Sequence, residues 1–519
     1  MKITATGWAG AMTGSWLSRA ASRAAGEGIL VALPCLVACG STPAGEAAEG
    51  GAVSLDSGGR VDASPLDAGA EAAGNTFADA APPDGGRLAS GDSLSVRQVT
   101  SDGFVVYSDD ASGTLYAVPL AGGAAMTIAS LGTKFWVTGA GTTVFAWSDV
   151  SATNVGTLHA WSSRAGSHVL SSASLGLTAT SSSDGSQVLY LDHVDAAGQT
   201  GDVYLASSDG SGAVRLLAAQ QLTGCVPQLG FAGSYALASH CDVARGAGPS
   251  SIISSFGSPA WARIDLASTA ENLWSVDTLA TRVLVSTADG VESAPIGGGS
   301  PVMVDSSGFL GELINGGLTA IYSTTAHALR RSPLLHPSPV TLVPTFGGFF
   351  GISPDETAVM FFQDFATSGA GVYLASATQP STPVTLWPQL TAALAGDAFT
   401  ADSRYALYAT GVDPQTGVGT LTSVPVAGGA PTVLGTDAWS DRSSTDAGVV
   451  FVDNYVATGG LRFGRGDIEW ADLSQGGTPT RLVAGADAVT ALSPGRDLVV
   501  YSWSAQAGAN AGIFAVPVP

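Results

Sequence analysis

The stretch Ser181–Leu217, SSSDGSQVLYLDHVDAAGQTGDVYLASSDGSGAVRLL, decides the fold of this chain. It opens with a Ser/Asp/Gly turn, continues as an apolar run, and crosses a loop to a second apolar run. A tight turn then leads into a third run. Short runs rich in Val, Leu and Tyr between clusters of Gly, Asp and Ser predict β-strands. The stretch therefore predicts one unit of antiparallel sheet.

About ten copies of this unit follow one another at spacings of roughly 37 to 50 residues, a period typical of propeller blades. First strands are predicted at Phe104–Tyr107, Val144–Trp147, Val188–Leu191, Tyr235–Ala238, Val283–Val285, Ala320–Tyr322, Ala358–Phe362, Tyr405–Tyr408, Val449–Val452 and Leu498–Tyr501. Second strands are predicted at Leu115–Pro119, Leu158–Trp161, Val203–Ala206, Trp261–Ile264, Val291–Pro295, Ala328–Ser332, Val372–Ala375, Leu421–Pro425, Ile468–Ala471 and Ile513–Pro517. Third strands are predicted at Val214–Leu217, Val302–Val304, Val340–Val343, Val384–Trp387, Thr432–Leu434 and Arg481–Val483. Copies around Gly257–Trp274 and Thr281–Val304 depart from the pattern, so blade boundaries are least defined there.

Composition supports an all-β chain. Of the 519 residues, 45% are hydrophobic and only 12% are charged, and 68 are glycine. A helical protein of this size would need more Lys, Glu and Leu, and no stretch has the periodicity of an amphipathic helix.

Polar turns precede many of the first strands, as at Ser101–Gly103, Ser183–Gly185, Ser353–Glu356, Ala401–Ser403 and Ser493–Gly495. These turns and the strands after them resemble the WD40-like repeats of TolB-type propellers over most of residues 93–519. The resemblance implies a β-propeller of four-stranded antiparallel blades, a periplasmic or surface location, and protein binding on one face of the ring. We expect about seven to ten blades, in one ring rather than two. A propeller closes best when one blade combines strands from both ends of the chain, so we expect Leu88–Val99 to complete the last blade.

Residues 1–38 have the features of an export signal. Lys2, Arg19 and Arg23 precede an apolar run that starts at Ile29, and about ten apolar residues are too few to span a bilayer. The run ends in Leu36-Val-Ala-Cys-Gly40, which resembles the lipobox of bacterial lipoproteins. The resemblance implies lipidation of Cys39, and an ordinary secretory signal with a chance cysteine is the alternative.

Residues 39–92 contain mainly Gly, Ala, Ser, Asp and Pro, and too few large apolar residues to form a core. We expect a disordered acidic tether that connects the lipid to the propeller repeats at 93–519. The resulting location is the bacterial cell envelope, on the outer membrane, in the periplasm or at the cell surface, with the membrane contacted through the lipid only.

Two of the four cysteines, Cys225 and Cys241, lie outside the signal and the lipobox. They flank two predicted strands joined by a turn at Gly230–Ser234. Neighbouring strands bring such sulfurs within bridging distance in an oxidising compartment, so we predict a disulfide. A metal site there would have only His240 and Asp242 as nearby ligands and is the weaker alternative.

Charge excludes one class of partner. A formal net charge of −22 repels phosphate backbones, so nucleic acid is not expected as a partner. Basic residues concentrate only at His327–His336, which includes Arg330 and Arg331, and a blade surface explains this spot better than a binding patch.

No catalytic motif is recognisable. The six histidines have no zinc spacing, and no nucleophile elbow, P-loop or Rossmann glycine pattern occurs in its proper setting. They are His159, His168, His193, His240, His327 and His336. The acidic loop Ser108–Gly113 lacks the spacing of an EF-hand, so its carboxylates are interpreted as turn residues rather than as Ca²⁺ ligands. Arg465-Gly-Asp467 spells an adhesion tripeptide that chance explains. No metal and no cofactor is expected.

Aromatic residues follow the repeats. Most of the tryptophans after the signal lie in predicted strands, where packing between blades is the default. They are Trp136, Trp147, Trp161, Trp261, Trp274, Trp387, Trp439, Trp470 and Trp503.

Together, these features favour a lipid-anchored, non-enzymatic scaffold whose propeller binds envelope proteins or glycans. Two alternatives remain open at this stage. One is a hydrolase or lyase with a site assembled in the channel of the ring, and the other is a structural or adhesive surface protein.

Overall fold

The computed structural model describes residues 86–132, 134–222, 226–241, 251–258, 260–276, 281–347, 350–363, 371–388, 392–393, 397–413, 416–439, 442–446, 448–457, 464–487, 490–503 and 511–519. The predicted signal at 1–38, Cys39 and most of the predicted tether lie outside these residues. Cys225 and the side chain of Cys241 also lie outside them, so the disulfide stays a prediction.

Ten four-stranded antiparallel blades form a single ring, which confirms the predicted all-β propeller. Each blade is named by its position in the chain, and its strands are given from first to last. Blade 1 has β2 (Leu94–Val99), β3 (Phe104–Asp109), β4 (Thr114–Pro119) and β5 (Met126–Ser130). Blade 2 has β6 (Trp136–Ala140), β7 (Thr143–Ser148), β8 (Val155–Ser162) and β9 (Gly166–Leu175). Blade 3 has β10 (Ala179–Ser181), β11 (Gln187–Asp192), β12 (Thr200–Ser207) and β13 (Val214–Gln221).

The middle of the ring continues in the same order. Blades 4 and 5 share one seven-stranded sheet of β14 (Leu229–Ala232), β15 (Tyr235–Cys241), β16 (Ser251–Gly257), β17 (Ala262–Val276), β18 (Arg282–Thr287), β19 (Gly290–Pro295) and β20 (Val302–Asp305). Blade 6 has β21 (Gly308–Ile314), β22 (Thr319–Thr324), β23 (Leu329–Pro333) and β24 (Val340–Val343). Blade 7 has β25 (Phe350–Ile352), β26 (Ala358–Gln363), β27 (Gly371–Ser376) and β28 (Val384–Trp387).

The last three blades complete the ring. Blade 8 has β29 (Ala392–Ala393), β30 (Tyr405–Thr410), β31 (Val418–Pro425) and β32 (Thr432–Trp439). Blade 9 has β33 (Arg442–Ser444), β34 (Gly448–Ala457), β35 (Gly464–Asp472) and β36 (Pro479–Asp487). Blade 10 has β37 (Thr490–Leu492), β38 (Leu498–Trp503), β39 (Gly512–Pro517) and, as its fourth strand, β1 (Arg87–Ser90).

The predicted first strands are the second strands of the ten blades, because every blade also has an earlier strand on the inner side of the ring. Five of these inner strands are short, with three residues in β10, β25, β33 and β37 and two in β29. They carry no long apolar run, so the sequence pattern does not reveal them.

Blades 4 and 5 correct the predicted boundaries. The prediction made Trp261–Ile264 the second strand of its copy, but β16 takes that role and is followed by β17. The first part of β17 pairs with β16, and its last part pairs with β18. One long strand is therefore both the outer strand of blade 4 and the inner strand of blade 5. The predicted turn is also shorter, because Gly230 lies in β14 and the chain turns at 233–234.

As predicted, the last blade combines strands from both ends of the chain, but the N-terminal segment that joins it is shorter than predicted. Of the expected segment Leu88–Val99, only β1 joins blade 10, where it pairs with β39. The remainder forms β2, the inner strand of blade 1. The folded part of the described chain thus includes β1, which lies inside the range 39–92 predicted for the tether.

The core lies between the faces of neighbouring blades. Between blades 2 and 3, for example, Phe145, Trp147 and Leu158 pack on Val188 and Tyr190, all nearly or fully buried. Alternate side chains of each central strand point to opposite neighbours, so second and third strands are apolar on both faces.

Helical structure is minor in the described part of the chain. One 3-10 helix occurs at Leu473–Gln475. Among the described residues, no helix has the length and apolar character that crossing a membrane requires.

Candidate functional site

The strand order gives the ring two different faces. Connections from first to second and from third to fourth strands lie on one side, called here the turn face. Connections from second to third strands lie on the opposite side, called the loop face. In blade 3, residues 182–186 belong to the turn face and residues 193–199 to the loop face.

Aspartates organise the connections on the turn face. In blade 3, the Asp184 carboxylate accepts hydrogen bonds from the hydroxyls of Ser182 and Ser186, at 2.6 and 2.8 Å from Oδ1. The Ser186 amide also donates to it, at 3.1 Å. The same aspartate-capped turn occurs at Asp102, Asp355 and Asp402, and in blade 10 the Ser493 hydroxyl donates to Asp497, four residues later. These bonds confirm that the recurrent turn residues serve backbone geometry.

A polar recess of about 610 Å³ lies on the turn face between blades 2 and 3. It forms because the Asp184 turn stands beside the third-to-fourth connection of its own blade and the corresponding connection of blade 2. Its lining residues are Thr142, 162–165, His168, 184–186 and 207–209. Hydroxyls, two carboxylates, one guanidinium and one imidazole thus surround the same space.

Both carboxylates in the recess are held ionised. The pKa of Asp184 is lowered by the hydrogen bond from Ser182, and also by those from Ser186. The pKa of Asp209 is lowered by hydrogen bonds from the hydroxyl and amide of Ser211, at 2.6 and 2.9 Å, with a contribution from His168. A general acid or base at neutral pH needs a pKa near 7. These two groups are therefore suited to accepting hydrogen bonds and not to proton transfer.

The opposite wall of the recess comes from blade 2. His168 is oriented by its Nε2, which donates to the carbonyl of Ala165 at 2.6 Å. Arg164 follows the buried Ser162 in the turn that carries this carbonyl. The recess therefore offers fixed acceptors on one side and the guanidinium N–H donors of Arg164 on the other, which is the pattern that orients a polar ligand.

A second recess, of about 550 Å³, lies at the ring closure and contains part of the acidic loop Ser108–Gly113. Tyr107 and Tyr116 stack in its wall with ring centroids 5.4 Å apart. Asp109 accepts from Ser93, and this hydrogen bond is the main cause of its lowered pKa. Asp110 is bound by the Arg97 guanidinium at 2.7 Å. These partners are consistent with turn carboxylates rather than Ca²⁺ ligands.

The five histidines whose side chains the structure describes do not come together in a site. His159 contacts the Ser148 hydroxyl at 3.0 Å, and burial lowers its pKa. His193 lies 3.5 Å from Asp202, on the loop face. His327 occupies a tight turn with φ of 56°, and His336 is exposed. The side chain of His240 lies outside the described residues. Within the described part of the chain, no three His, Cys, Asp or Glu side chains are arranged to hold a metal ion.

The adhesion tripeptide has a structural role. Arg465 pairs with Asp487 at 3.5 Å, and Asp467 is only 4% exposed. Asp467 Oδ1 accepts from the Gly485 amide at 3.0 Å. A buried aspartate cannot be presented to a receptor, so the tripeptide reading fails.

The basic spot at His327–His336 serves contacts between strands and blades. Arg330 binds Asp305 at 2.9 Å, and the hydroxyl of Tyr322 donates to the same carboxylate at 3.0 Å. Arg331 donates to the carbonyl of Thr378 in blade 7. Both arginines therefore stabilise the ring.

Tryptophans mostly pack between blades, as expected. Those that are at least nine-tenths buried are Trp147, Trp161, Trp439 and Trp503. Trp136 is an exception in the described part of the chain, with 38% of its surface exposed on an inner strand.

The recess between blades 2 and 3 was not found from the sequence, although its Asp184 lies in the stretch that decides the fold. Asp184, His168 and Thr142 belong to three different connections, and only the stacking of two blades brings them together. The regular spacing of the repeats carries no information about which connections meet.

Comparisons with known proteins identify no family. No family model matches the chain, and no curated protein matches it. Many solved structures are similar to part of the chain. A eukaryotic initiation factor is 12% identical, with a TM-score of 0.46, and the match covers 68% of this chain and 90% of that one. The dihydro-heme d1 dehydrogenase NirN is 16% identical, with a TM-score of 0.38 and coverage of 66% and 75%. A 6-phosphogluconolactonase-like protein from Bacteroides fragilis is 15% identical, with a TM-score of 0.32 and coverage of 60% and 98%. At these identities the likeness concerns the fold and not ligands or reactions.

Proposed function

We propose that this protein is a non-enzymatic scaffold of the bacterial cell envelope, held at a membrane by lipid on Cys39, whose propeller binds an envelope glycan. The glycan is bound in the recess between blades 2 and 3. The tether gives the ring freedom to reach a ligand that is itself fixed in the envelope.

One observation carries the binding role: the recess combines rigid, ionised carboxylates with hydroxyl, guanidinium and imidazole groups. Asp184 and Asp209 are fixed by their own turns, so a ligand does not have to order them. Carboxylates that accept hydrogen bonds from neighbouring ligand hydroxyls form strong, charge-assisted bonds. Their lowered pKa values supply acceptors but no proton donor, which favours binding over hydrolysis.

We predict that the double substitution Asp184→Asn and Asp209→Asn weakens glycan binding at least about tenfold, since each change removes a charge-assisted acceptor. Binding of soluble peptidoglycan fragments and an oligosaccharide panel is measured by calorimetry. The two carboxylates should contribute no pH dependence to this affinity between pH 5 and 8, because both lowered pKa values lie below this range.

Asp195→Asn is the matched control. Asp195 is in the same blade and is hydrogen-bonded in the same way, but it lies on the loop face. This variant should bind like the wild type. If the double variant binds the glycan as tightly as the wild type, the recess is not the binding site. If no glycan binds but a basic protein does, the ligand of the ring is a protein. Turnover of any probe in a hydrolase screen would favour the enzymatic alternative.

The anchor is tested separately. Cys39→Ser should abolish incorporation of an alkyne-labelled fatty acid and move the protein from the membrane to the soluble fraction, because the lipid is its proposed membrane contact. Cys35→Ser, a cysteine inside the predicted signal, is the control and should remain labelled. Labelling of the Cys39→Ser variant would contradict the anchor without affecting the recess.

A further inference from the structure

Blades 3 and 9 are built alike at their loop-face ends, which permits comparison of equivalent positions. Asp192 faces Asp202 across β11 and β12, as Asp453 faces Asp467 across β34 and β35. The residues that follow Asp192 and Asp453 both have φ of 51°. The two local structures are therefore alike up to this residue, and differences between their side chains there are informative.

The buried aspartates of the two pairs also have equivalent partners. Asp202 accepts from the Ala219 amide at 2.6 Å and lies 3.4 Å from Arg215. Asp467 accepts from the Gly485 amide at 3.0 Å and lies 3.2 Å from Arg481. In both blades the arginine therefore pairs with the aspartate of the third strand, Asp202 or Asp467.

The other aspartate of each pair faces the preceding blade, and there the two blades differ. In blade 3, the Ser171 hydroxyl on β9 donates to Asp192 Oδ1 at 2.6 Å. The equivalent position on β32 is Gly435, because Ser171 and Gly435 pair with Leu158 and Leu421 at the same register. A Cβ at Gly435 would stand 2.7 Å from Asp453 Oδ1. This buried oxygen has no hydrogen-bond partner among the described residues.

A second difference adds a carboxyl group. Tyr204, which stacks on Tyr190 in blade 3, is replaced by Glu469 opposite Phe451 in blade 9. Compared with the seam before blade 3, the seam before blade 9 therefore lacks the hydroxyl donor of Ser171 and contains an additional carboxyl group, that of Glu469.

Acidic groups outnumber basic ones around Asp453 and Glu469. The preceding blade contributes Asp437 from β32, and blade 9 contributes Asp467, Tyr455 and, from β36, Arg481. Two other arginines have their own partners. Arg465 pairs with Asp487. Arg442 on β33 donates to the carbonyls of Asp397 and Leu407. Burial raises the pKa of Glu469 to about 7, and the charges of Asp453 and Asp467 add to the rise. Burial also raises the pKa of Asp453, although the amides of Asn454 and Asp437 donate to it.

We propose that the seam between blades 8 and 9 is a proton-dependent joint of the ring. When Asp453 and Glu469 carry protons, the seam is closed by neutral groups that can donate as well as accept hydrogen bonds. When both are ionised, the four neighbouring carboxylates of Asp437, Asp453, Asp467 and Glu469 face the guanidinium of Arg481, and the seam loosens. The Ser171 seam of blade 3 has no such response, since a donor is built into it.

The direction of the pH effect follows from the raised pKa values. A group whose pKa is higher in the folded ring than in the unfolded chain stabilises the fold fully below the unfolded value. That contribution is lost as the pH rises through the folded value. For Glu469 the window lies between its ordinary value of 4.5 and about 7. The joint should therefore be firm at pH 5 and loose at pH 7.5.

Hydrogen exchange of the full chain tests this proposal. After correction for intrinsic exchange rates, protection in peptides covering β32 and β34 should fall at least about threefold between pH 5 and 7.5, because a carboxyl titrates in this seam. Peptides of β38, a strand without histidine or carboxyl side chains, supply the internal reference and should not change. Glu469→Gln should remove most of the pH dependence, and the double variant with Asp453→Asn should remove all of it.

Two further variants make the result decisive. Glu469→Tyr restores the residue of blade 3 and replaces the glutamine variant if that one does not fold. Glu292→Gln removes a different carboxyl whose pKa is raised by burial, in blade 5, and should leave β32 and β34 pH-dependent. The proposal is overturned if wild-type protection in β32 and β34 is equal at both pH values. It is also overturned if the pH dependence survives in the Asp453→Asn, Glu469→Gln double variant.

Discussion

Removal of residues 1–90, which takes away β1, is expected to lower the thermal stability of the ring by roughly 5 °C. β1 is the segment that joins the start of the propeller to its last blade, through pairing with β39. Closing a chain of this length costs on the order of 5 kcal/mol in entropy, and the β1–β39 pairing offsets that cost in the folded ring. Without β1, blade 10 meets blade 1 only by packing, so the ring loses stabilisation of this size. With unfolding entropy proportional to chain length, that loss corresponds to the stated shift in Tm.

Calorimetry of two truncations separates β1 from the residues that precede it. Deletion of residues 1–84 leaves β1 intact, together with the bond from the Ala515 amide to the Gly86 carbonyl, and should keep the wild-type Tm. Equal Tm values for the two truncations would show that ring closure does not depend on β1.

A point substitution tests the same closure without shortening the chain. Gly512 stands opposite Ser90, and a Cβ there would lie within 2.2 Å of the Ala89 carbonyl oxygen. Gly512→Val should therefore displace β1 and reproduce much of the loss seen on truncation, with faster hydrogen exchange at residues 87–90.

Prediction of the fold from sequence succeeded where strands are buried on both faces. Runs such as Val188–Leu191 and Val449–Val452 lie between two blades, so they are continuously apolar and recognisable. Inner strands such as Ala179–Ser181 are short and half polar, and nothing in their composition separates them from turns. β17 was misassigned because it continues without a break from one blade into the next, which removes the turn that marks a boundary elsewhere.

Prediction of the candidate site was weaker for a physical reason. A single turn such as Ser182–Ser186 is determined by local hydrogen bonds and can be recognised from Asp184 alone. The recess depends on which neighbouring turns approach it, and that depends on the twist and stacking of whole blades. Likewise, the missing donor at Gly435 is visible only once β32 and β34 are seen to face each other.

Substitution of Arg442 is expected to cause the second large loss of stability. It is 1% exposed, although it lies on the short inner strand β33. Its Nε donates to the carbonyl of Asp397 at 3.0 Å, and one terminal nitrogen donates to the carbonyl of Leu407 at 2.6 Å. The Asp397 carboxylate in turn accepts from the amide and hydroxyl of Ser444, at 2.7 and 2.8 Å. One buried guanidinium thus connects blade 9 to blade 8, at Asp397 between β29 and β30 and at Leu407 in β30.

Arg442→Met should therefore destabilise the ring by about 2–6 kcal/mol, since it leaves two buried carbonyl acceptors without a donor while keeping most of the side-chain volume. Arg442→Lys should lie between this variant and the wild type, because an ammonium group cannot reach two carbonyls with the planar fork of arginine. Denaturant unfolding measures the free energies. Arg404→Ala is the control: this arginine pairs with Asp402 in blade 8 but is solvent-exposed, so its loss should be barely measurable. If Arg442→Met unfolds at the wild-type denaturant concentration, the buried arginine does not stabilise this seam, and the apolar contacts of Leu407, Val449 and Phe451 hold the two blades together by themselves.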